Sequence, residues 1–244
     1  MADKKYLVVN ADDFGQSPGV NRGIIEAHEQ GIVTSASLMV RWPSAKEAVD
    51  YGKTHPSLGL GLHFDLGEWA CRNDEWVRLY EVIPKNDEQH IADELTGQCE
   101  LFERLTGRIP THLDSHQHAH RDEPLRSMML ALAEKLNIPL RDYNPSVRYC
   151  GDFYGQSSNG YPYPEAISVE ALMTLLERLP AGITELGCHP GFADDLDTMY
   201  KSERQQEIKA LCDGRIRETI GAMGIELCSF ADLPVRVSIR IETS

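Results

Sequence analysis

About seven times along its 244 residues the chain passes from a short apolar, β-branched run into a stretch whose apolar residues fall at helical spacing. That alternation narrows the fold more than any other feature, because a chain that keeps returning from helix to strand builds a parallel sheet with helices packed on it. Residues 6–10 form the first such strand, and residues 19–30 carry Val20, Ile24, Ile25 and Ala27 on one helical face, started by Ser17-Pro18 and stopped at Gly31. Strand 32–40, a short helix capped by Ser44 and strand 58–64 follow. Ile91, Leu95, Cys99, Phe102 and Leu105 mark a long helix ending at Gly107, before a strand over 109–115. Pro124 opens a helix with Leu125, Met128, Met129, Leu132 and Leu136 on its inner face, and 138–141 reads as a fifth strand. Beyond it come a helix from Ser168 to Leu179, a strand over 183–188, a helical stretch over 203–223 broken at Gly214, and a last strand over 225–230. Two segments lack a period: 65–84, with Trp69 and Trp76, reads as an irregular insertion able to act as a lid, and 142–164, with five tyrosines and three glycines, as a long functional loop.

The chemistry collects where strands end. Asp12 and Asp13 follow the first strand, His63 closes the third, and His189-Pro190-Gly191 follows the strand over 183–188. The strand over 109–115 runs into Thr111-His112-Leu113-Asp114-Ser115-His116-Gln117-His118-Ala119-His120, which holds four of the nine histidines. On an extended backbone His116, His118 and His120 alternate and so share a face, and Asp114 is spaced to orient the His116 ring. Groups at the carboxyl ends of parallel strands lie on one side of the sheet, the side where barrel enzymes keep their active sites. The expectation is therefore a single-domain (β/α) barrel over residues 1–244, distorted or seven-stranded.

Composition excludes several partners. A net charge of −14 repels polyanions, which argues against nucleic acid and anionic membranes and leaves a small neutral or cationic substrate. No apolar run approaches the ~20 residues of a membrane span, and Met1-Ala2-Asp3-Lys4-Lys5 leads straight into a strand without a signal-type core. The six cysteines form no CxxC pair and read as small core residues in a reducing compartment, so a cytoplasmic protein is expected, with a homodimer left open.

One carboxylate and two imidazoles make a minimal divalent-metal triad that leaves positions for water and substrate. A second carboxylate beside the ligating one is placed to take a proton, so Asp12 and Asp13 together supply a ligand and a general base. His189 is positioned to protonate a leaving amine, and Arg141, leaving a strand next to the site, to pair with Asp12 and keep it ionised. The ligand types suit Zn²⁺, Co²⁺ or Mn²⁺.

The pieces Asn10-Ala11-Asp12-Asp13-Phe14-Gly15, Gly31-Ile32-Val33-Thr34-Ser35, Gly61-Leu62-His63-Phe64, Pro110 through His120 and Glu185-Leu186-Gly187-Cys188-His189-Pro190-Gly191 run in one order across nearly the whole chain. In these the chain closely resembles the YdjC-like carbohydrate deacetylases, which include chitooligosaccharide and hopanoid-biosynthesis deacetylases. The resemblance implies a barrel related to polysaccharide deacetylases and hydrolysis of an acetyl group from an N-acetylated amino sugar or short oligosaccharide, with one divalent ion, often Mg²⁺. Residue by residue it implies Asp13, His63 and His116 as metal ligands, Asp12 as general base and His189 as general acid. The chain departs from the commoner family form at Gln117, where a histidine is frequent, and His118 and His120 are taken as supporting or substrate-contacting positions. Residues 71–86 resemble no particular subfamily, so the acceptor sugar stays open.

Two other classes fit a histidine-rich barrel. A metal-dependent phosphoesterase or amidohydrolase would use His112, His118 and His120 directly and would want cationic side chains for phosphate, of which the strand ends offer little beyond Arg141. A metal store or sensor leaves the Asp12-Asp13 pair and His189 unexplained.

Overall fold

The computed structural model describes residues 4–84 and 87–233. Residues 1–3, part of the stretch from which the absence of a leader is read, and 234–244, the end of the expected domain, lie outside these. Seven strands form one parallel sheet: β1 (Lys5–Phe14), β2 (Ser35–Leu38), β3 (Gly59–Phe64), β6 (Leu113–Ser115), β7 (Val147–Cys150), β8 (Gly182–Cys188) and β9 (Ile225–Leu227). A separate antiparallel hairpin is made by β4 (Gly67–Arg72) and β5 (Glu75–Glu81). The helices are α1 (Pro18–Glu29), α2 (Ala45–Thr54), α3 (Glu88–Thr106), α4 (Leu125–Leu136), α5 (Val169–Glu177), α6 (Ser202–Leu211) and α7 (Gly214–Ala222).

The order across the sheet is β6-β3-β2-β1-β8-β7, with β9 on β1. Ten residues long, β1 is shared along one edge: Lys5 to Leu7 pair with β9, and Asn10 to Phe14 with β2, while β8 runs along the other edge. Among the described residues no ladder joins β6 to β7, so the barrel is curled but not closed by hydrogen bonds. The expected fifth strand shrinks to one bridge, Leu113 to Leu140, because Pro139 has no N–H to extend a ladder.

The core lies between sheet and helices. Leu7, Val9 and Ala11 of β1 pack with Val20, Ile24 and Ala27 of α1, and Phe14, Phe64 and Phe102 are fully buried. Removing each such aromatic side chain from water contributes about 1.5–3 kcal/mol. Local signals set the helix ends: Ser17 accepts from the Val20 amide, Asp87 from His90, Ser168 from Ala171, and Gly107 ends α3 at φ 75°.

The segment 65–84 is not irregular. Arg72 and Glu75 face each other across Asn73 (φ 51°) and Asp74 (φ 66°), a two-residue turn with both residues left-handed, as type I′ requires. The signal was weak because Asn-Asp is a poorer marker of this turn than Asn-Gly. Residues 142–164 likewise contain a strand, β7, whose residues pair with Ile183 to Leu186 of β8.

Candidate metal centre and catalytic groups

The site begins with a break in β1. Between Ala11 and Phe14 the register with β2 slips, and Asp13 takes φ 68°, so the two neighbouring carboxylates leave the strand in different directions. Both remain within the strand rather than in a loop after it, and both are buried.

Asp13 faces the histidines. Its Oδ1 lies 3.0 Å from His116 Nδ1 and 3.3 Å from His63 Nε2, and its Oδ2 accepts from Arg204 Nη2 at 2.6 Å. Ligand atoms of Asp13, His63 and His116 all fall within 4.8 Å of one another. The donor set and its spacing fit a divalent ion with open positions. Electrostatics agree: burial pulls the His63 imidazole down, but Asp114 beside it prevails and lifts it to about 10. His116, likewise opposed by burial, is raised well above its usual value by Asp13.

Asp12 faces the other way. Arg141 grips it with both arms, Nη1 to Oδ2 at 2.7 Å and Nη2 to Oδ1 at 2.8 Å, and Asn10 Nδ2 donates to Oδ1 at 2.9 Å. Burial pushes the Asp12 carboxyl up, yet the guanidinium outweighs it and the net shift is downward. Arg141 also reaches Asp114 Oδ2 at 2.8 Å and Glu185 Oε1 at 2.7 Å. One guanidinium thus serves three buried carboxylates, and burial raises Glu185 to about 7 against the pull of Arg141. The ring of Tyr149 covers the Arg141 guanidinium at 4.8 Å.

His189 comes to the same place from β8. Its Nε2 lies 3.7 Å from Asp12 Oδ2, and its backbone N–H donates to Glu207, which also receives the Tyr200 hydroxyl. Burial holds the His189 imidazole down at about 4, so it is neutral near pH 7.

The structure therefore brings together Asp12, Asp13, His63, His116 and His189, and adds Arg141 where it was expected. Two expectations fail. Asp114 orients His63, not His116: its Oδ1 lies 2.7 Å from His63 Nδ1, while His116 meets Glu68 Oε2 at 3.6 Å through Nε2. The three alternating histidines also do not share a face. Residues His116–Arg121 form a 3-10 turn in which Gln117 (φ 49°) and His118 (φ 52°) are left-handed, sending the His116 ring to Asp13 and the rings of His118 and His120 to another place. Glu68, Arg204 and Glu207 went unseen in the sequence. Glu68 sat in the segment without a period, and the only sign of the other two was a charged i, i+3 pair that the fold turns inward, both being buried on α6.

A cavity of about 660 Å³ opens over these groups, walled by Trp69 and Trp76 of the hairpin, Gln117, Tyr149, Tyr154 and Met199 among others. Gln117 holds the hairpin in place, donating from Nε2 to the Trp69 carbonyl at 2.7 Å and accepting its amide at 3.0 Å. The departure at Gln117 thus has a physical role here.

Residues 6–222 match the model of the YdjC-like protein family. A carbohydrate deacetylase of Geobacillus stearothermophilus is 32% identical, over 93% of this chain and 98% of its own. A chitooligosaccharide deacetylase of Serratia marcescens is also 32% identical, over 94% and 100%. Among solved structures, an Enterococcus faecalis V583 protein described as a cellobiose-phosphate cleavage protein superposes with TM-score 0.75 at 26% identity, covering 95% of this chain and 100% of its own. A family 4 carbohydrate esterase from Streptomyces lividans, solved with acetate, shares the fold at TM-score 0.55 and 14% identity, with 93% of each chain covered.

Proposed function

The chain belongs to the YdjC-like family, and on that premise we propose that it is a metal-dependent carbohydrate deacetylase, a single domain over 1–244 that hydrolyses the N-acetyl group of an amino sugar or short oligosaccharide. The observation that carries this reading is the division of labour at the end of β1: Asp13 turned to two imidazoles, Asp12 turned to a guanidinium and His189. Relatives over more than nine-tenths of the chain are carbohydrate and chitooligosaccharide deacetylases, which supports the substrate class.

In this reading Asp13, His63 and His116 hold one divalent ion. The resemblance favours Mg²⁺, and the nitrogen-rich donors suit Zn²⁺, Co²⁺ or Mn²⁺. Bound there, such an ion would supply Lewis acidity toward an amide carbonyl and lower the pKa of water. Asp12, kept ionised by Arg141, takes the proton of the attacking water. His189 starts neutral, so its proton has to arrive during the reaction; Nε2 faces Asp12 Oδ2 at 3.7 Å, a gap that one bridging water would span to carry that proton to the imidazole and on to the departing amine. Trp69, Trp76 and Tyr149 line a cavity wide enough for sugar rings and offer them apolar faces.

The phosphoesterase alternative gains nothing from the geometry. The arginines around the cavity already pair with carboxylates: Arg141 with Asp12, Arg204 with Asp13 and Arg121 with Asp142. All six cysteines are free, which supports a reducing, cytoplasmic setting. No helix among the described residues is long and apolar enough to cross a membrane. The test is acetate release from N-acetylglucosamine and its short oligomers, run beside a generic phosphomonoester.

A further inference from the structure

We propose that His118, His120 and Asp142 form a second divalent-cation site, of the zinc class, separate from the one at Asp13. Candidate ligand atoms of these three residues lie within 4.8 Å of one another. Two imidazoles and a carboxylate are a usual donor set for Zn²⁺, whose tetrahedral ligands sit about 3.4 Å apart, so small side-chain rotations would bring the three onto one ion with a fourth position open.

Unspent nitrogens point to a ligand. His120 is fully buried, its Nε2 makes no hydrogen bond, and Asp142 Oδ2 faces it at 3.5 Å. A buried ring nitrogen left unpaired costs about 1–3 kcal/mol unless something meets it. The other nitrogen of the ring is fixed: Ser115 Oγ accepts the His120 amide at 2.9 Å and faces Nδ1 at 2.6 Å. In the tautomer whose Nδ1–H donates to that oxygen, the lone pair is on Nε2, as a metal ligand requires. His118 repeats the pattern, with Tyr149 Oη 3.5 Å from Nε2 and Nδ1 buried and unpartnered.

The backbone explains why there are two sites rather than one crowded site. Left-handed Gln117 and His118 swing the His118 ring away from His116, toward His120 at a ring separation of 5.9 Å. Asp142 is itself left-handed, at φ 68°. Such conformations in non-glycine residues cost on the order of 1 kcal/mol each and collect at functional sites. Against the site stands Arg121, whose Nε donates to Asp142 Oδ2 at 2.8 Å. That side chain is 45% exposed and also lies 5.8 Å from the centre of the Tyr149 ring, so a cation would have to displace it outward into solvent. Because His118 and Arg121 also line the cavity, a cation here would sit in the wall beside the substrate.

Metal-stripped full-length protein titrated with Zn²⁺ alone, with bound metal read by equilibrium dialysis and elemental analysis, tests the site without recourse to activity. The wild type should take up two equivalents. His118→Ala and Asp142→Asn should each take up one, and His63→Ala should lose the other. Asp142 lies at the surface, so Asp142→Asn keeps the test sound if His118→Ala fails to fold. A single equivalent in the wild type, or two retained in folded Asp142→Asn or His118→Ala, would overturn the proposal. Acetate release has no bearing on this result, so the two readings fail separately.

Discussion

Asp114 Oδ1 stands 2.7 Å from Nδ1 of His63, and that contact decides which nitrogen His63 offers to the site. With Nδ1 committed, Nε2 is turned to Asp13. Asp114 is itself held by Ser37 Oγ at 2.6 Å and by Arg141. Supporting carboxylates of this kind typically tune metal affinity about 10–100-fold. Asp114→Asn should therefore weaken the ion at Asp13 by that order in a chelator competition, and unchanged affinity would mean the contact is only structural.

The charge of Arg141 should show in the pH dependence. Asp12 is depressed by Arg141, so it is ionised above its folded-state pKa and protonated below it. A base that must be ionised loses activity as pH falls through that value. Arg141→Met removes the depressing charge and should move the acidic limb of the pH–rate profile to higher pH with metal content intact. It should also cost about 3–5 kcal/mol of stability, since Asp12, Asp114 and Glu185 lose their common counter-charge. A limb that stays put would separate Arg141 from the chemistry.

A Cβ on Gly61 would meet the His112 ring at 2.4 Å, and His112 Nε2 lies 3.0 Å from Ser37 Oγ, which supports Asp114. Gly61→Ala should lower stability by about 1–3 kcal/mol, read in urea, and disturb the metal site at a distance. A neutral effect would show that the ring has room to move.

Trp76, 53% exposed and in the cavity wall, should act on longer substrates. Aromatic contacts of about 0.5–1.5 kcal/mol correspond to a two- to tenfold effect. Trp76→Ala should raise KM for oligomers by that amount while sparing the monosaccharide; an equal rise for both would place the indole against the acetylated ring itself.

Strand–helix alternation was legible because each element buries an apolar face with its own period, and the candidate site residues were legible because strands deliver them to one end. Asp12, Asp13, His63, His116 and His189 converge as expected. What stayed hidden depends on backbone angles or on partners distant in the chain. Asp114 chose His63 through strand pairing, His63 opposite Asp114 across β3 and β6, which no local spacing reveals. The left-handed turn at Gln117 and His118 has no glycine to announce it. Arg204 reaches Asp13 across 191 residues of sequence.

In the proposed reaction the two neighbouring carboxylates do different work, and acetate release from N-acetylglucosamine oligomers, followed with metal content in the same samples, tests that division most directly. Wild-type protein should release acetate in a chelator-sensitive way. Asp12→Asn should keep its metal and lose about 10²–10⁴-fold in rate, whereas Asp13→Asn should lose metal and activity together. Acetate release by Asp12→Asn at the wild-type rate, or phosphate from a phosphomonoester with no acetate from any sugar, would contradict the account.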